Sequence, residues 1–132
     1  MPQSLYLLLL DPRLNRLRHG AAILLFLAIV IAGSIPGARA DIGQYAPGVV
    51  LHSCAYSVLA LLWFTASCGS AASRSAATVL AIALMGAIDE SVQSFFPYRG
   101  AAVGDWLVDC SAALFTCALL WMVLPKAALQ RS

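Results

Sequence analysis

The stretch AATVLAIALMGAIDESVQSFF, residues 76–96, joins thirteen uncharged and mostly apolar residues to two adjacent acids, Asp89 and Glu90, with no loop signal between them. As a helix it would extend about 32 Å, against a hydrocarbon core of about 30 Å. Its first three turns carry no charged face, unlike the one-striped helix of a soluble core. The pattern therefore predicts a membrane span whose second half holds ionisable groups.

Outward from this stretch the chain repeats the pattern. Residues 105–124, stopped by Pro125, form a second long apolar segment, and residues 49–68 a third. A fourth runs over 21–35, strongest at AAILLFLAIVIA. Composition agrees: 61% of the 132 residues are hydrophobic and 11% charged, where a soluble domain carries about a quarter charged. Mean hydropathy is +0.85. The expected fold class is all-α, a membrane bundle of four transmembrane helices. Residues 36–47, Gly69–Ser75 and 97–104 are expected to connect the spans. An N-terminal segment (1–20), a transmembrane domain (21–125) and a short tail (126–132) complete the organisation. Within the N-terminal segment, the Asp11-Pro12 step should end any helix begun upstream.

One rival reading concerns the first span. Arg13, Arg16 and Arg18, a short apolar core and Ala38-Arg39-Ala40 before Asp41 resemble a signal peptide. Cleavage would leave three spans. The long region before the apolar core, and the membrane character of the rest, favour retention.

Lys and Arg in short loops orient a membrane protein. One side holds Arg13, Arg16, Arg18, Arg74, Lys126 and Arg131; the other holds Arg39 and Arg99. Both termini are therefore expected in the cytoplasm, with the 36–48 and 97–104 loops outside. The small net charge of +2, with no basic run interleaved with aromatics, gives no reason to expect nucleic acid as a partner. Cys54, Cys68, Cys110 and Cys117 form no CxxC pair and read as small packing residues.

That topology places the polar residues at one depth. His52 and Tyr56 lie near the outer end of the second span, Asp89, Glu90 and Gln93 in the outer half of the third. Arg99 is in the outer loop, and Asp105 and Asp109 open the fourth span. His52/Tyr56, Asp89/Gln93 and Asp105/Asp109 are i, i+4 pairs, and Glu90/Gln93 is i, i+3, so each pair shares a helix face. An acid at the centre of a span costs about 2.5–3.5 kcal/mol, so these groups should face the bundle interior or a water-filled cavity. Small residues should let the helices approach there: Ala83, Ala87, Ser111, Ala112, Ala113 and Ala118. Four carboxyls facing Arg99 and a titratable His52 cannot all stay ionised in a low dielectric. A protonated carboxyl beside a histidine has the makings of an acid/base pair, a proton relay or a cation site.

The segment Asp89-Glu90-Ser91-Val92-Gln93-Ser94-Phe95-Phe96-Pro97-Tyr98-Arg99, followed by Asp105-Trp106-Leu107-Val108-Asp109, resembles the VanZ-like family of small membrane proteins. The family's Asp-Glu-x-x-Gln-x-Phe-x-Pro-x-Arg segment and the Asp-x-x-x-Asn/Asp step of its last helix are both matched. His52-x-x-x-Tyr56 resembles its second-helix motif, and Ser34-Ile35-Pro36-Gly37 the end of its first helix, which implies retention of that span. The similarity covers about residues 21–124. The chain departs from the pattern in three places: Gly48-Val49 stands where members often carry Asp-Lys, Asp109 where many have Asn, and an Ala where a Gly often follows on the last helix. The resemblance implies a bacterial cytoplasmic membrane protein connected with glycopeptide (teicoplanin) resistance, and it supplies no mechanism.

Several functions stay open at this level. The polar residues read either as a network fixing the helix ends, with Arg99 paired to Asp105 or Glu90, or as a site open to the outer leaflet. Such a site would bind an envelope lipid, a cell-wall precursor, a glycopeptide or a partner membrane protein. The alternatives are an intramembrane acid/base enzyme on a lipid-linked substrate, a proton- or cation-coupled carrier working as a homo-oligomer, and an accessory subunit of a larger membrane complex. No catalytic order of Ser/His/Asp, no metal triad and no phosphate loop is visible, so neither a cofactor nor a metal is expected.

Overall fold

The computed structural model describes residues 9–98 and 102–125. Four long helices form an antiparallel succession: α1 (Asn15–Ser34), α3 (Gly48–Ala66), α4 (Ala71–Ser94) and α5 (Val103–Val123), with a six-residue helix α2 (Ala38–Gly43) between the first two. Each of the four is long and apolar enough to cross a membrane, α1 together with the 3-10 turn Pro12–Leu14 that leads into it. The helix α3 is central, packing most extensively on α5 and also on α1 and α4. A core of Phe26, Tyr56, Leu59, Ala60, Ile82, Met85, Ala112 and Ala113 joins all four.

The outer surface supports lipid contact. Only 17–33% of each span's most apolar window is buried inside the bundle. Leu24, Leu80 and Phe115 remain 69%, 72% and 69% exposed. Water would not tolerate so continuous an apolar girdle, whereas hydrocarbon does.

The helix limits differ from the sequence expectation in an instructive way. The first span begins near Pro12 rather than Ala21, and α4 begins at Ala71 rather than Ala76. Both extensions take in arginines that composition alone assigns to loops. Arg18 is buried and donates to the Thr65 carbonyl at 2.9 Å, the Asp11 carbonyl at 3.0 Å, and the Asn15 side chain. Arg74 is also buried; its Nε donates to the Phe64 carbonyl at 3.0 Å and its guanidinium lies 4.4 Å above the Phe64 ring. Two arginines from separate helices thus satisfy the last carbonyls of α3, where the helix dipole favours positive charge. Their charges have partners, so the helices need not stop before them. Gly69, at φ 101°, reverses the chain between α3 and α4, and the Ser70 hydroxyl accepts from the Ser73 N–H to cap α4.

The expected loop 36–47 contains the helix α2, begun after the Pro36-Gly37 turn, where the Asp41 N–H donates to the Gly37 carbonyl at 3.0 Å. A break at Asp11-Pro12 is present: Asp11 accepts from the Arg13 N–H at 2.9 Å. Leu10 then tucks under the bundle against Phe64, Cys117, Leu120 and Leu124. Of the cysteines, Cys117 is buried and Cys54 and Cys68 face outward; all four are free thiols.

Candidate functional site

The end of the bundle opposite the two arginines carries the acids. His52 lies in the second turn of α3 with 13% of its side chain exposed, and Tyr56, fully buried one turn on, stacks parallel to its ring with centroids 5.9 Å apart. The His52 Nδ1 is 2.9 Å from Asp109 Oδ1 on α5, and Nε2 is 3.7 Å from Asp105 Oδ2 one turn earlier. From α4, Asp89 Oδ2 accepts from the Tyr56 hydroxyl at 3.3 Å, long for such a bond. Glu90 Oε2 accepts from the Ala102 N–H at 2.6 Å and so holds the first turn of α5, where a carboxylate is favoured. Gln93 is buried one turn beyond Asp89.

The structure therefore brings together His52, Tyr56, Asp89, Glu90, Gln93, Asp105 and Asp109 from three helices. Arg99 lies outside the described residues. Among the described side chains here, His52 alone can carry positive charge, against four carboxyls. Polar satisfaction is incomplete: Asp89 Oδ1, Glu90 Oε1, Gln93 Oε1 and Asp109 Oδ2 are buried with no hydrogen-bond partner among the described residues. Buried oxygens of this kind are rare in a merely structural network and call for a proton, a water or a ligand.

The helices α4 and α5 come into close contact at a residue the expected small-residue set omits. A Cβ on Gly86 would lie 2.8 Å from Asp109 Oδ2 and 3.1 Å from Trp106 Cδ1. Trp106 then donates from Nε1 to the Ala83 carbonyl at 2.9 Å, and Trp121 from Nε1 to Ser75 Oγ at 2.9 Å, so two tryptophans tie α5 to α4. Ala112 and Ala113 are buried in the interface as expected, but Ala87, Ser111 and Ala118 face outward. Register decides this: Gly86 and Asp89 are i, i+3 on the inner face, and Ala87 falls a hundred degrees away.

A partly open groove of about 230 Å³ runs beside the cluster. Ile29, Ala32 and Gly33 of α1 and Leu51 and Ala55 of α3 make its walls; His52, Tyr56, Asp89 and Gln93 supply its polar end. One ring nitrogen of His52 and one oxygen each of Glu90 and Asp105 also lie within 4.8 Å of one another. Sequence spacing gives no sign of that trio, because its members come from three helices and no two share a short motif.

Comparison with family models, curated proteins and solved structures finds no match to this chain.

Proposed function

We propose that this chain is a VanZ-like multi-pass protein of the bacterial cytoplasmic membrane, with both termini cytoplasmic, that binds an envelope lipid or lipid-linked cell-wall precursor at its acidic end. The observation that carries the reading is the groove itself: apolar walls from α1 and α3 ending on His52, Asp89 and Gln93. An amphipathic occupant matches both parts, with its chain against Ile29 and Leu51 and its polar end on the side chains. Pockets that enclose drug-sized molecules run about 300–1,000 Å³, so the smaller groove suits a chain segment or head group better than a whole glycopeptide. The acceptor oxygens of Asp89 and Gln93 at that end favour a head group with hydrogen-bond donors.

Native mass spectrometry of the purified protein tests this. The wild type is expected to retain a recurrent lipid species, and Ala55→Leu, which narrows the groove without replacing a polar group, is expected to lose most of it. A lipid profile equal to that of the bulk membrane, and unchanged by Ala55→Leu, would overturn the reading.

A second reading is favoured by one contact. The His52–Asp109 pair at 2.9 Å borders the groove with the geometry of an oriented general base. An acid/base enzyme on a lipid-linked substrate predicts that deletion alters the cell's precursor profile and that His52→Gln alters it equally. A pure binder leaves the profile unchanged.

A further inference from the structure

We propose that His52, Glu90 and Asp105 bind a divalent cation of the Mn2+/Zn2+ class. The ligand geometry is the starting point. Donor atoms around an ion at about 2.1 Å lie about 3.0–4.2 Å apart. The His52 Nε2–Asp105 Oδ2 separation is 3.7 Å, and the three donor atoms all fall within 4.8 Å, so a small rotation of Glu90 or Asp105 completes the fit.

Two further observations point to a ligand. The first is the state of the histidine. Asp109, fully buried, sits 2.9 Å from His52 Nδ1; as a carboxylate it would accept a proton held on that nitrogen, the tautomer in which Nε2, 3.7 Å from Asp105 Oδ2, can ligate. A carboxylate behind a histidine in this way is the usual support of a metal-bound imidazole. The second is Glu90. With 8% exposure it is more than nine-tenths buried; Oε2 is taken by the Ala102 N–H, and Oε1 has no hydrogen-bond partner among the described residues. An ion would supply the partner that Glu90 Oε1 lacks among the described residues.

The donor set selects the ion. One imidazole and two carboxylates are poor for Mg2+ and Ca2+, which prefer all-oxygen shells, and lack the thiolates of a structural zinc site. Three protein ligands leave at least one coordination position open, as in sites where a metal meets water or substrate. This inference stands apart from lipid binding: Glu90 and Asp105 are not among the residues lining the groove, and the two sites share only His52.

The test uses the full-length protein in detergent micelles after chelator treatment, with Mn2+ alone as the probe, since Mn2+ avoids the four thiols. Electron paramagnetic resonance should show one Mn2+ bound per chain, displaced by Zn2+ and poorly by Mg2+. A spin-echo modulation from a histidine nitrogen should be present and should vanish in His52→Gln. Glu90→Gln and Asp105→Asn should each weaken binding by at least about tenfold. Wild-type protein that binds no Mn2+ at millimolar excess overturns the proposal. So does binding that lacks the nitrogen modulation or is unchanged in both carboxylate variants. Should Glu90→Gln fail to accumulate, the wild type and Asp105→Asn, at the less buried edge of the site, still decide.

Discussion

At the residue scale the buried hydrogen bonds are unequal, and their removal should show it. Tyr56 is fully buried and its hydroxyl reaches Asp89 at 3.3 Å. Tyr56→Phe keeps the packing but leaves Asp89 Oδ2 without its donor, beside an Oδ1 that has none among the described residues. The expected loss is about 1 kcal/mol, at the low end because the bond is long. In Tyr56→Phe/Asp89→Leu both partners are replaced by apolar groups, and stability should return toward wild type. Thermal melting of the purified protein in detergent measures both; a double variant less stable than Tyr56→Phe would contradict this account. Arg74 is the counterpart at the other end. Arg74→Ala removes a charged hydrogen bond to the Phe64 carbonyl and a cation over its ring, with an expected cost of about 1.5–3 kcal/mol. Arg74→Lys keeps the charge but not the planar guanidinium, and its melting temperature should fall between the two.

At the element scale the contact between α4 and α5 is the sensitive one. Gly86 is the point where a side chain has no room, since its Cβ would meet Asp109 Oδ2 at 2.8 Å. Gly86→Ala must move a fully buried carboxylate that is also held by His52, so both the helix spacing and the His52–Asp109 bond are disturbed. Overpacking of this kind costs about 1–3 kcal/mol. The expected outcome is a lower melting temperature together with weaker Mn2+ binding, whereas Gly20→Ala, with nothing within 4 Å of its Cβ, should change neither. Equal behaviour of the two variants would show that α4 and α5 do not meet as described.

At the scale of the whole molecule the bundle is polarised. Arg18 and Arg74 close one end on the carbonyls of α3, while Asp89, Glu90, Asp105 and Asp109 gather at the other. If the arginine end is cytoplasmic, as the distribution of basic residues predicts, the acidic end and its groove open to the outer leaflet. Alkaline phosphatase fused after Gln44 should then be active, and a fusion after Cys68 inactive. The reverse pattern would turn the site toward the cytoplasm and remove envelope precursors of the outer leaflet from consideration, while leaving the metal proposal intact.

The sequence alone determines the all-helical class and the four spans, because a residue's transfer energy into hydrocarbon depends on its own side chain and sums along twenty or so neighbours. It also singles out His52, Tyr56, Asp89, Glu90, Gln93, Asp105 and Asp109, since ionisable groups in apolar segments stand out wherever they point. The helix limits near Arg18 and Arg74 were not legible, because an arginine reads as a loop until a carbonyl from another helix is seen to satisfy it. Gly86 likewise looks no different from Ala87 in sequence; rotation about α4 separates them. Which acid faces the histidine, which oxygens have no partner among the described residues, and that three donors from three helices converge within 4.8 Å were decided by tertiary structure alone. Such relations depend on the distances and rotations between helices, and no local window of the chain encodes those.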